Sequence, residues 1–215
     1  MIKVFGRNTS SNVQVVLWTL AELGLEYTRE DRGHIHGGVD TPEYLEMNPN
    51  GLVPVLVDKG RAIFESCAIA RYLASAYGDG GAFWPSDPLA RAEVDKWAEW
   101  AKTTWAPSVM NATFYPLVRT SPQDRDPKIM AQDMAKLLVQ ADLIEGQLGK
   151  GPYITGESFT LADIIAGHIL YRYFTVPWER PELPNLKAYY ERLQERAAFV
   201  ENSMISYESL RAKGA

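Results

Sequence analysis

The first part of the chain combines short apolar runs with one long amphipathic segment. Ile2 to Phe5 is an apolar run that predicts a strand. Apolar side chains then recur at helical spacing and predict a helix that ends near Leu23, before Gly24. A second strand is predicted from Glu26 to Glu30. The order strand, helix, strand favours a parallel pair joined by a right-handed crossover.

Two further apolar runs predict a hairpin. Val53 to Val57 and Arg61 to Phe64 are separated by Asp58-Lys59-Gly60, a short polar connection that contains glycine. Apolar residues at helical spacing follow Glu65-Ser66 and predict another helix. Strands and helices in this arrangement are typical of an α/β domain.

A change in pattern divides the chain. The segment from Gly78 to Pro88 is rich in glycine, proline and aspartate and is the best predicted linker. Beyond it, every apolar pattern has helical spacing. We therefore predict an α/β domain over residues 1–79 and an all-α domain over residues 87–215.

Local signals predict where helices of the second domain begin. Asp87 followed by Pro88 predicts an N-cap with proline at the first helical position. Thr160 to Asp163 resembles a capping box, with aspartate in place of glutamate, and predicts the start of another helix. A final helix is predicted from Phe199 to Arg211.

Composition narrows the class of protein. The 215 residues carry 22 basic and 27 acidic side chains, a net charge of −5, and no basic run, which argues against nucleic acid as a partner. No apolar stretch approaches the roughly 20 residues of a membrane-spanning helix, so no membrane partner is expected. A single cysteine, Cys67, excludes an intrachain disulfide and fits a reducing compartment. The start of the chain does not have the pattern of a signal peptide, and we expect a cytoplasmic protein.

The three histidines do not predict a metal site. His34, His36 and His168 lack the spacing of zinc ligands. His168 lies on an apolar helical face, which is typical of a histidine packed in a core. No metal cofactor is therefore expected.

The pair Val53-Pro54 opens the third predicted strand in an unusual way. Proline cannot donate a hydrogen bond to a β-ladder and suits a strand interior poorly. The pattern favours a special local geometry, such as a cis bond, that leaves the backbone of Val53 free to pair with a bound peptide. An ordinary proline at an edge strand explains this run alone equally well.

The turn between the first strand and the first helix holds the main candidates for anion binding. Ser10, Ser11 and Asn12 lie where backbone N–H groups are unpaired and the helix dipole is positive. This environment favours an anion, including a thiolate. The alternative is that one of the two serines simply caps the helix.

Glu65 and Ser66 occupy the corresponding position at the start of the helix that follows the hairpin. The carboxylate of Glu65 suits an ammonium group, and the hydroxyl and N–H of Ser66 suit a carboxylate. The alternative is again a helix cap. Cys67 follows directly, and a helix N-terminus can activate a thiol, although a small packed residue is the favoured interpretation.

Aromatic residues on the helices of the second domain predict either a core or a cleft. Trp105, Tyr115 and Tyr171 are candidates for an apolar substrate site between the two domains, where ligand sites are common. Aromatic residues at helical spacing are more often part of the core.

Taken together, these segments resemble the cytosolic glutathione transferase family. The resemblance rests on five stretches that span the chain: Ser10 to Gln14 with Leu17-Trp18, Thr41 to Leu45, Asn48 to Leu56, Glu65 to Leu73, and Tyr153 to Ile164. It is greatest for bacterial members with a serine in the first turn, akin to the theta, delta and beta classes. The resemblance implies a thioredoxin-like α/β N-terminal domain and an all-α C-terminal helical domain.

The resemblance also implies roles for individual residues. Ser10 matches the serine that hydrogen-bonds the sulfur of glutathione, with Ser11 one position away and Asn12 near the sulfur. Pro54 is expected to be cis, with Val53 pairing its backbone with the cysteinyl part of glutathione.

The two ends of glutathione have separate expected partners. Glu65 and Ser66 match the pair that holds the γ-glutamyl end. Leu52 stands where many relatives have a polar or basic residue. His36 is the candidate that takes the role of that residue at the glycine end of glutathione.

The function implied by the resemblance is the conjugation of glutathione, as co-substrate, to an electrophilic and mostly apolar small molecule. Two alternatives stay open: a glutathione-dependent disulfide reductase and a non-catalytic binding protein of the same fold. The family resemblance also implies a homodimer.

Overall fold

The computed structural model describes residues 1–214. The N-terminal part contains a four-stranded sheet and three helices. The strands are β1 (Ile2–Phe5), β2 (Tyr27–Glu30), β3 (Val55–Asp58) and β4 (Arg61–Phe64), and the helices are α1 (Ser11–Glu22), α2 (Pro42–Met47) and α3 (Ser66–Tyr77). Each predicted strand and helix of this part is present, with ends shifted by no more than two residues.

The sheet has the order β2-β1-β3-β4. β1 pairs in parallel with β2, as the crossover predicts, and antiparallel with β3, which forms the predicted hairpin with β4. The peptide bond between Val53 and Pro54 is cis, which confirms the expected geometry. Val53 itself lies outside the ladder, because β3 begins at Val55.

Two helices cover one face of this sheet. Alternate residues of β1, such as Val4, pack against apolar residues of α1 and α3, including Leu17 and Leu73, and all three side chains are buried. The opposite face carries α2, where Tyr44 packs edge-on against Phe5. Burial on both faces fixes the register of the sheet, because a shift by one residue would expose these side chains.

The remainder of the described chain contains no strand and is helical. Its α-helices are α4 (Pro88–Trp100), α5 (Ala106–Val109), α6 (Pro127–Leu148), α7 (Leu161–Gly167), α8 (Leu170–Thr175), α9 (Pro184–Gln194) and α10 (Ala197–Ser203). A segment with π-helical geometry, Ala101–Trp105, joins α4 to α5, and a second, Met110–Arg119, continues α5, so that together they form one long helix. Pro116 lies inside the second π-helical segment.

Both predicted helix starts of the second part are confirmed. The side chain of Asp87 accepts a hydrogen bond from the backbone N–H of Ala90, and Pro88 is the first helical residue. Thr160 and Asp163 form the predicted capping box. The buried Asp163 carboxylate also accepts the backbone N–H of Ile154 at 3.0 Å, so it joins two segments of the helical core.

The two parts pack through α1. Trp18 is fully buried, and its ring centroid lies 4.8 Å from that of Phe199. Its indole N–H donates to the carboxylate of Glu22. The same carboxylate accepts Nε and Nη2 of Arg196 at 2.8 and 2.6 Å. At Gly167 a methyl group would lie 3.0 Å from the Trp18 ring, so α7 approaches α1 closely because this residue has no side chain.

One predicted helix is wrong. The segment predicted from Phe199 to Arg211 contains only α10 and a short 3₁₀ turn, Glu208–Leu210, because the helix ends at Ser203. The apolar residues after it pack against the helical core from an irregular segment. Within the described residues, no helix is long and apolar enough to cross a membrane.

The predicted linker packs as part of the fold. Residues 78–87 contain neither helix nor strand, and Trp84 within them is buried and donates to Ser75. We keep residues 1–79 and 87–215 as the proposed domain limits. The last residue of the second range, Ala215, lies outside the described residues.

Candidate functional site: a cleft between the sheet domain and the helices

The turn before α1 presents two hydroxyl groups at the N-terminus of that helix. Ser10 occupies the N-cap position, but its side chain makes no capping hydrogen bond. Its backbone carbonyl accepts the N–H of Gln14 at 3.0 Å. Within residues 1–214 neither Ser10 nor Ser11 uses its hydroxyl in a hydrogen bond, so the simple capping role does not account for these two side chains.

Asn12 connects this turn with the helices of the second domain. Its side-chain oxygen accepts the ammonium of Lys102 at 2.9 Å and the hydroxyl of Ser66 at 3.4 Å. Lys102 also lies 3.4 Å from that hydroxyl. The sequence-predicted Asn12 and Ser66 are thus brought together, and Lys102 adds a positive charge that the sequence analysis missed.

Glu65 and Ser66 lie where β4 passes into α3. Ser66 is buried, whereas Glu65 is exposed and adopts φ +68°, a left-handed conformation that is unfavourable for a residue with a side chain. Such backbone strain is typical of binding sites. In the described chain the Glu65 carboxylate takes part in no ion pair, and it is available to an ammonium group.

Val53 presents unpaired backbone groups beside the first turn. Neither its N–H nor its C=O is hydrogen-bonded to any described residue. The preceding carbonyl, of Leu52, accepts the Tyr44 hydroxyl and the Asn48 amide, both at 2.8 Å. These two bonds hold the loop in place, so the free groups of Val53 are rigidly positioned, as pairing with an extended peptide requires. The Leu52 side chain itself is exposed.

Two adjoining cavities between the first turn and the helices hold part of the site, and Glu65 and Ser66 line neither of them. A cavity of about 260 Å³ is lined by the first turn, by Leu52 and Val53, and by side chains of the helical part. A second cavity of about 250 Å³ is lined by Ser11, Asn12 and Lys102 among others. Ser11, Asn12, Met110 and Tyr115 line both cavities, so together these form one cleft. A larger cavity, of about 510 Å³, lies between α8 and α9 and contains none of the predicted site residues.

The three aromatic candidates have different positions. Tyr115 lines both cavities and is 46 % exposed. Trp105 is fully buried, donates its indole N–H to Ala166 at 3.1 Å, and stacks on Trp100. The prediction that Trp105 lines the substrate site is therefore wrong, because it belongs to the helical core.

Tyr171 also lies outside both cavities. Its half-buried ring packs against Tyr207, with centroids 6.0 Å apart, so this second aromatic prediction needs the same correction. Cleft aromatics that the sequence analysis missed include Phe114, which is buried and lines the cavity of about 260 Å³. Helical spacing identifies apolar faces but does not tell a face in contact with a helix from a face that borders a cleft.

His36 lies in an exposed 3₁₀ turn, His34–His36, that lines neither cavity. Its backbone N–H donates to the carbonyl of Gly33 at 3.2 Å, while its imidazole forms no hydrogen bond with the described residues. Gly33, just before this turn, lies close to Arg7 and Val53, since a methyl group there would be within 3.3 and 3.4 Å of their side chains. The loop therefore borders the site, while the role of His36 stays a prediction.

Two interpretations of buried residues are supported. Burial raises the pKa of the Cys67 thiol, and this side chain is only 4 % exposed, as expected for a packed cysteine. His168 is buried, and its Nδ1 lies 2.7 Å from the carbonyl of Ile165. Because a carbonyl only accepts, Nδ1 carries the proton of a neutral ring. Burial lowers the pKa of His168 to about 3.

Comparison with known proteins decides the family. Residues 9–76 match the family model "Glutathione S-transferase, N-terminal domain", and residues 128–192 match "Glutathione S-transferase, C-terminal domain". Glutathione S-transferase GstB of Escherichia coli K12 is 37 % identical over 207 residues, which cover 95 % of this chain and 99 % of that protein. This chain belongs to the glutathione S-transferase family.

Solved structures of this family have the same fold. The theta-class glutathione S-transferase of Xanthomonas axonopodis pv. citri, solved with glutathione bound, has 39 % identity and a TM-score of 0.87, with 95 % of this chain and 98 % of that chain covered. A delta-class glutathione transferase of Nilaparvata lugens has 25 % identity and a TM-score of 0.81, over 94 % and 93 % of the two chains. The predicted fold class is confirmed, and the predicted enzyme class, a glutathione transferase, agrees with these comparisons.

Several cleft residues of this transferase were missed by the sequence analysis. They are Arg7, Lys102, Met110, Phe114, Arg119 and Arg172. Only Arg172 has a local signal, because it is a lone charge inside the apolar helical run Ile169 to Phe174. The others look like ordinary surface or core positions until the helices pack against the first turn.

Proposed function

We propose that this transferase binds glutathione along the first turn, Val53 and the start of α3. It then conjugates the glutathione thiolate to an electrophilic, mostly apolar small molecule in the cleft. The unpartnered hydroxyl of Ser10 at the N-terminus of α1 carries this proposal, because it lies in a cavity wall where a thiolate would be stabilised. No metal takes part.

Glutathione has separate partners for its cysteinyl residue and for its γ-glutamyl end. The unpaired N–H and C=O of Val53 pair with the backbone of its cysteinyl residue. The free carboxylate of Glu65 binds its ammonium group, while Ser66 binds the neighbouring carboxylate. Lys102, 3.4 Å from the Ser66 hydroxyl, adds a positive charge at the same end.

The chemistry needs only a shift in the acidity of the thiol. A free thiol has a pKa near 8.5, and lowering it by about two units takes roughly 2.7 kcal/mol of preference for the anion. A hydrogen bond to a charged acceptor contributes about 1.5–3 kcal/mol, and a helix N-terminus about 0.3–1 kcal/mol. Ser10 and α1 together supply a shift of this size.

Ser10 is therefore not the nucleophile in this mechanism. The thiol proton passes to solvent, and the Ser10 hydroxyl donates to the thiolate that remains. The sulfur then attacks the electrophilic carbon, so a carbon–sulfur bond forms while the leaving group departs with its electron pair. Tyr115, Phe114 and Met110 supply the apolar wall against which the electrophile is held.

The test is the ultraviolet absorbance of the thiolate when glutathione is added to the wild type, Ser10→Ala and Ser11→Ala across about pH 5 to 9. The wild type should show thiolate well below pH 8, and only Ser10→Ala should lose it. Loss of the thiolate signal in Ser11→Ala alone would assign the hydrogen bond to the sulfur to Ser11 instead of Ser10. No signal in the wild type would overturn the proposed mechanism and favour a binding protein.

The disulfide reductase alternative uses the same first turn and differs in the second substrate. Turnover of a mixed disulfide of glutathione, with weak activity toward aryl halides, would favour it over conjugation. The cleft contains no second thiol, since Cys67 is buried, so any disulfide exchange would have to proceed through glutathione itself.

We also propose a homodimer and a location in the cytoplasm. Leu89 on α4 and Ile129, Val139 and Leu143 on α6 are exposed apolar residues, which supports a subunit contact on this side of the helices. Sedimentation equilibrium of the wild type should give twice the monomer mass of 24.1 kDa. A lone buried cysteine supports a reducing compartment.

A further inference from the structure

Three arginines line one side of the 260 Å³ cavity: Arg7, Arg119 and Arg172. We refer to them as the arginine trio. None of the three forms an ion pair with a carboxylate of residues 1–214. Arg172 is buried and Arg7 is half-buried. Cations in such positions are normally paired, so their uncompensated positive charge requires an explanation.

Arg172 is the most constrained member of the trio. Its side chain, on α8, is only 3 % exposed and donates to the carbonyl of Thr9 at 2.8 Å. Its guanidinium carbon lies 4.3 Å from the centre of the Phe114 ring. Burial lowers the pKa of Arg172 to about 10, with further lowering by Arg7 and Arg119, and it stays charged at neutral pH. The fold thus holds a cation rigidly beside the first turn.

Arg7 and Arg119 add to this charge. Burial, and then the charge of Arg119, lower the pKa of Arg7. The Nε of Arg7 is buried and has no hydrogen-bond partner, so a donor remains unsatisfied in the cavity wall. Arg119 ends the second π-helical segment at the exposed rim. Like charges that line one cavity destabilise each other unless an anion lies among them.

We propose that the arginine trio binds the carboxylate of the second substrate, so that this transferase selects electrophiles with an apolar body and a carboxylate. The inference rests on the proposed function and names the substrate class. Arginine is well suited to a carboxylate, because its planar fork of donors matches the two oxygens. Phe114 and Tyr115 lie in the same cavity wall and contact the apolar body.

A matched pair of aryl chlorides separates charge from shape. In both 4-chloro-3,5-dinitrobenzoate and 4-chloro-3,5-dinitrobenzamide, the glutathione thiolate attacks the carbon that bears chlorine. A carbon–sulfur bond forms, the carbon–chlorine bond breaks, and chloride leaves with the electron pair. The carboxylate or amide is unchanged, so the ratio of the two kcat/KM values, acid over amide, reports recognition of the charge.

The ratio should favour the acid in the wild type after correction for the uncatalysed rates. It should fall about tenfold or more in Arg119→Gln and in Arg7→Gln, the loss expected for one charge-assisted hydrogen bond. Arg61→Gln is the matched control, because Arg61 is an exposed arginine of β4 outside both cavities, and it should keep the wild-type ratio. An acid-over-amide ratio that is the same in all four proteins overturns the proposal.

A binding measurement keeps this test separate from catalysis. The protein is saturated with S-methylglutathione, which has no free thiol, and titrated calorimetrically with 3,5-dinitrobenzoate or 3,5-dinitrobenzamide. The acid should bind at least about tenfold more tightly than the amide, and Arg119→Gln should remove the difference. Equal binding of acid and amide by the wild type overturns the proposal, even if conjugation of neutral electrophiles proceeds.

A second titration, of the free protein with S-methylglutathione, distinguishes the carboxylate of the substrate from the glycine carboxylate of glutathione. If the trio binds the second substrate, Arg7→Gln and Arg119→Gln weaken 3,5-dinitrobenzoate and leave the Kd of S-methylglutathione within about twofold. Weaker S-methylglutathione binding with an unchanged Kd for dinitrobenzoate would assign the trio to glutathione and overturn the proposal.

Discussion

The ammonium of Lys102 lies 2.9 Å from the side-chain oxygen of Asn12, a residue 90 positions earlier in the chain. This contact joins the first π-helical segment to the N-terminus of α1. π-helical segments are frequent at functional sites. A cation from the helical domain therefore lies beside Asn12 and Ser66 of the sheet domain.

Replacement of Lys102 tests whether this cation contributes to glutathione binding. Lys102→Met should raise the Kd for glutathione about tenfold, because one charge-assisted hydrogen bond contributes about 1.5–3 kcal/mol. Calorimetric titration measures the change. Lys96→Met, at an exposed position of the preceding helix α4, is the control and should bind like the wild type. An unchanged Kd in Lys102→Met would exclude Lys102 from the binding site.

Two helical glycines should respond to alanine in opposite directions. In Gly167→Ala the new methyl group would lie 2.6 Å from Leu193 and 3.0 Å from Trp18, and overpacking of this kind costs about 1–3 kcal/mol of the free energy of unfolding. Gly146 is exposed on α6 with nothing within 4 Å. Gly146→Ala should therefore stabilise the protein by about 0.5–1 kcal/mol. Urea unfolding measures both, and a neutral or stabilising Gly167→Ala would contradict the packing at α1.

His168 should make the protein less stable in acid. Its pKa is lowered by burial to about 3 in the folded state, whereas an unfolded histidine titrates near pH 6.5. Below about pH 6.5 the unfolded state therefore binds one more proton, and the free energy of unfolding falls by up to about 1.4 kcal/mol per pH unit. This loss continues until the folded histidine also takes up a proton.

The contribution of His168 is isolated by urea unfolding at several pH values. His168→Asn should have a shallower dependence on pH than the wild type between about pH 6.5 and 4.5. His36→Asn is the control, since His36 is exposed, and should keep the wild-type slope. Equal slopes in the wild type and His168→Asn would show that His168 is not a buried neutral residue.

Cys67 should be unreactive in the folded protein. Its thiol is buried and its pKa is raised by burial, so little thiolate is available to attack a reagent. An aromatic disulfide reagent should therefore titrate the single thiol of the chain far more slowly in buffer than in denaturant. Rapid labelling in buffer that is lost in Cys67→Ala would show that the Cys67 thiol is reactive in the folded protein.

Short-range signals predicted most of the fold. The capping residues Asp87 and Thr160 act on backbone groups within three positions, so their effect is visible in the sequence itself. The hairpin and the parallel strand pair follow from local turn residues and from a handedness rule. The one helix predicted wrongly, over residues 199–211, rests on apolar residues at helical spacing, and the sequence carries no stop signal at Ser203 where the helix ends.

The candidate site was predicted where its residues belong to continuous motifs. Ser10 to Asn12, Val53 with Pro54, and Glu65 with Ser66 each sit at the junction of a strand and a helix or at a strand start, and this local geometry exposes their backbone groups. The aromatic wall was predicted only at Tyr115. Trp105 has the same helical character and residue class, and only the packing of α7 and α8 around it shows that it is core.

Short motifs predicted the α/β and all-α parts, the first turn and the start of α3, and their resemblance to a known family predicted the cis proline. Each of these depends on residues within a few positions of one another. By contrast, the shared cleft of Ser10 with Lys102, Arg119 and Arg172 is visible only in the folded chain. Charged residues that are far apart in the sequence come together through helix packing, and no local sequence pattern predicts which of them become neighbours.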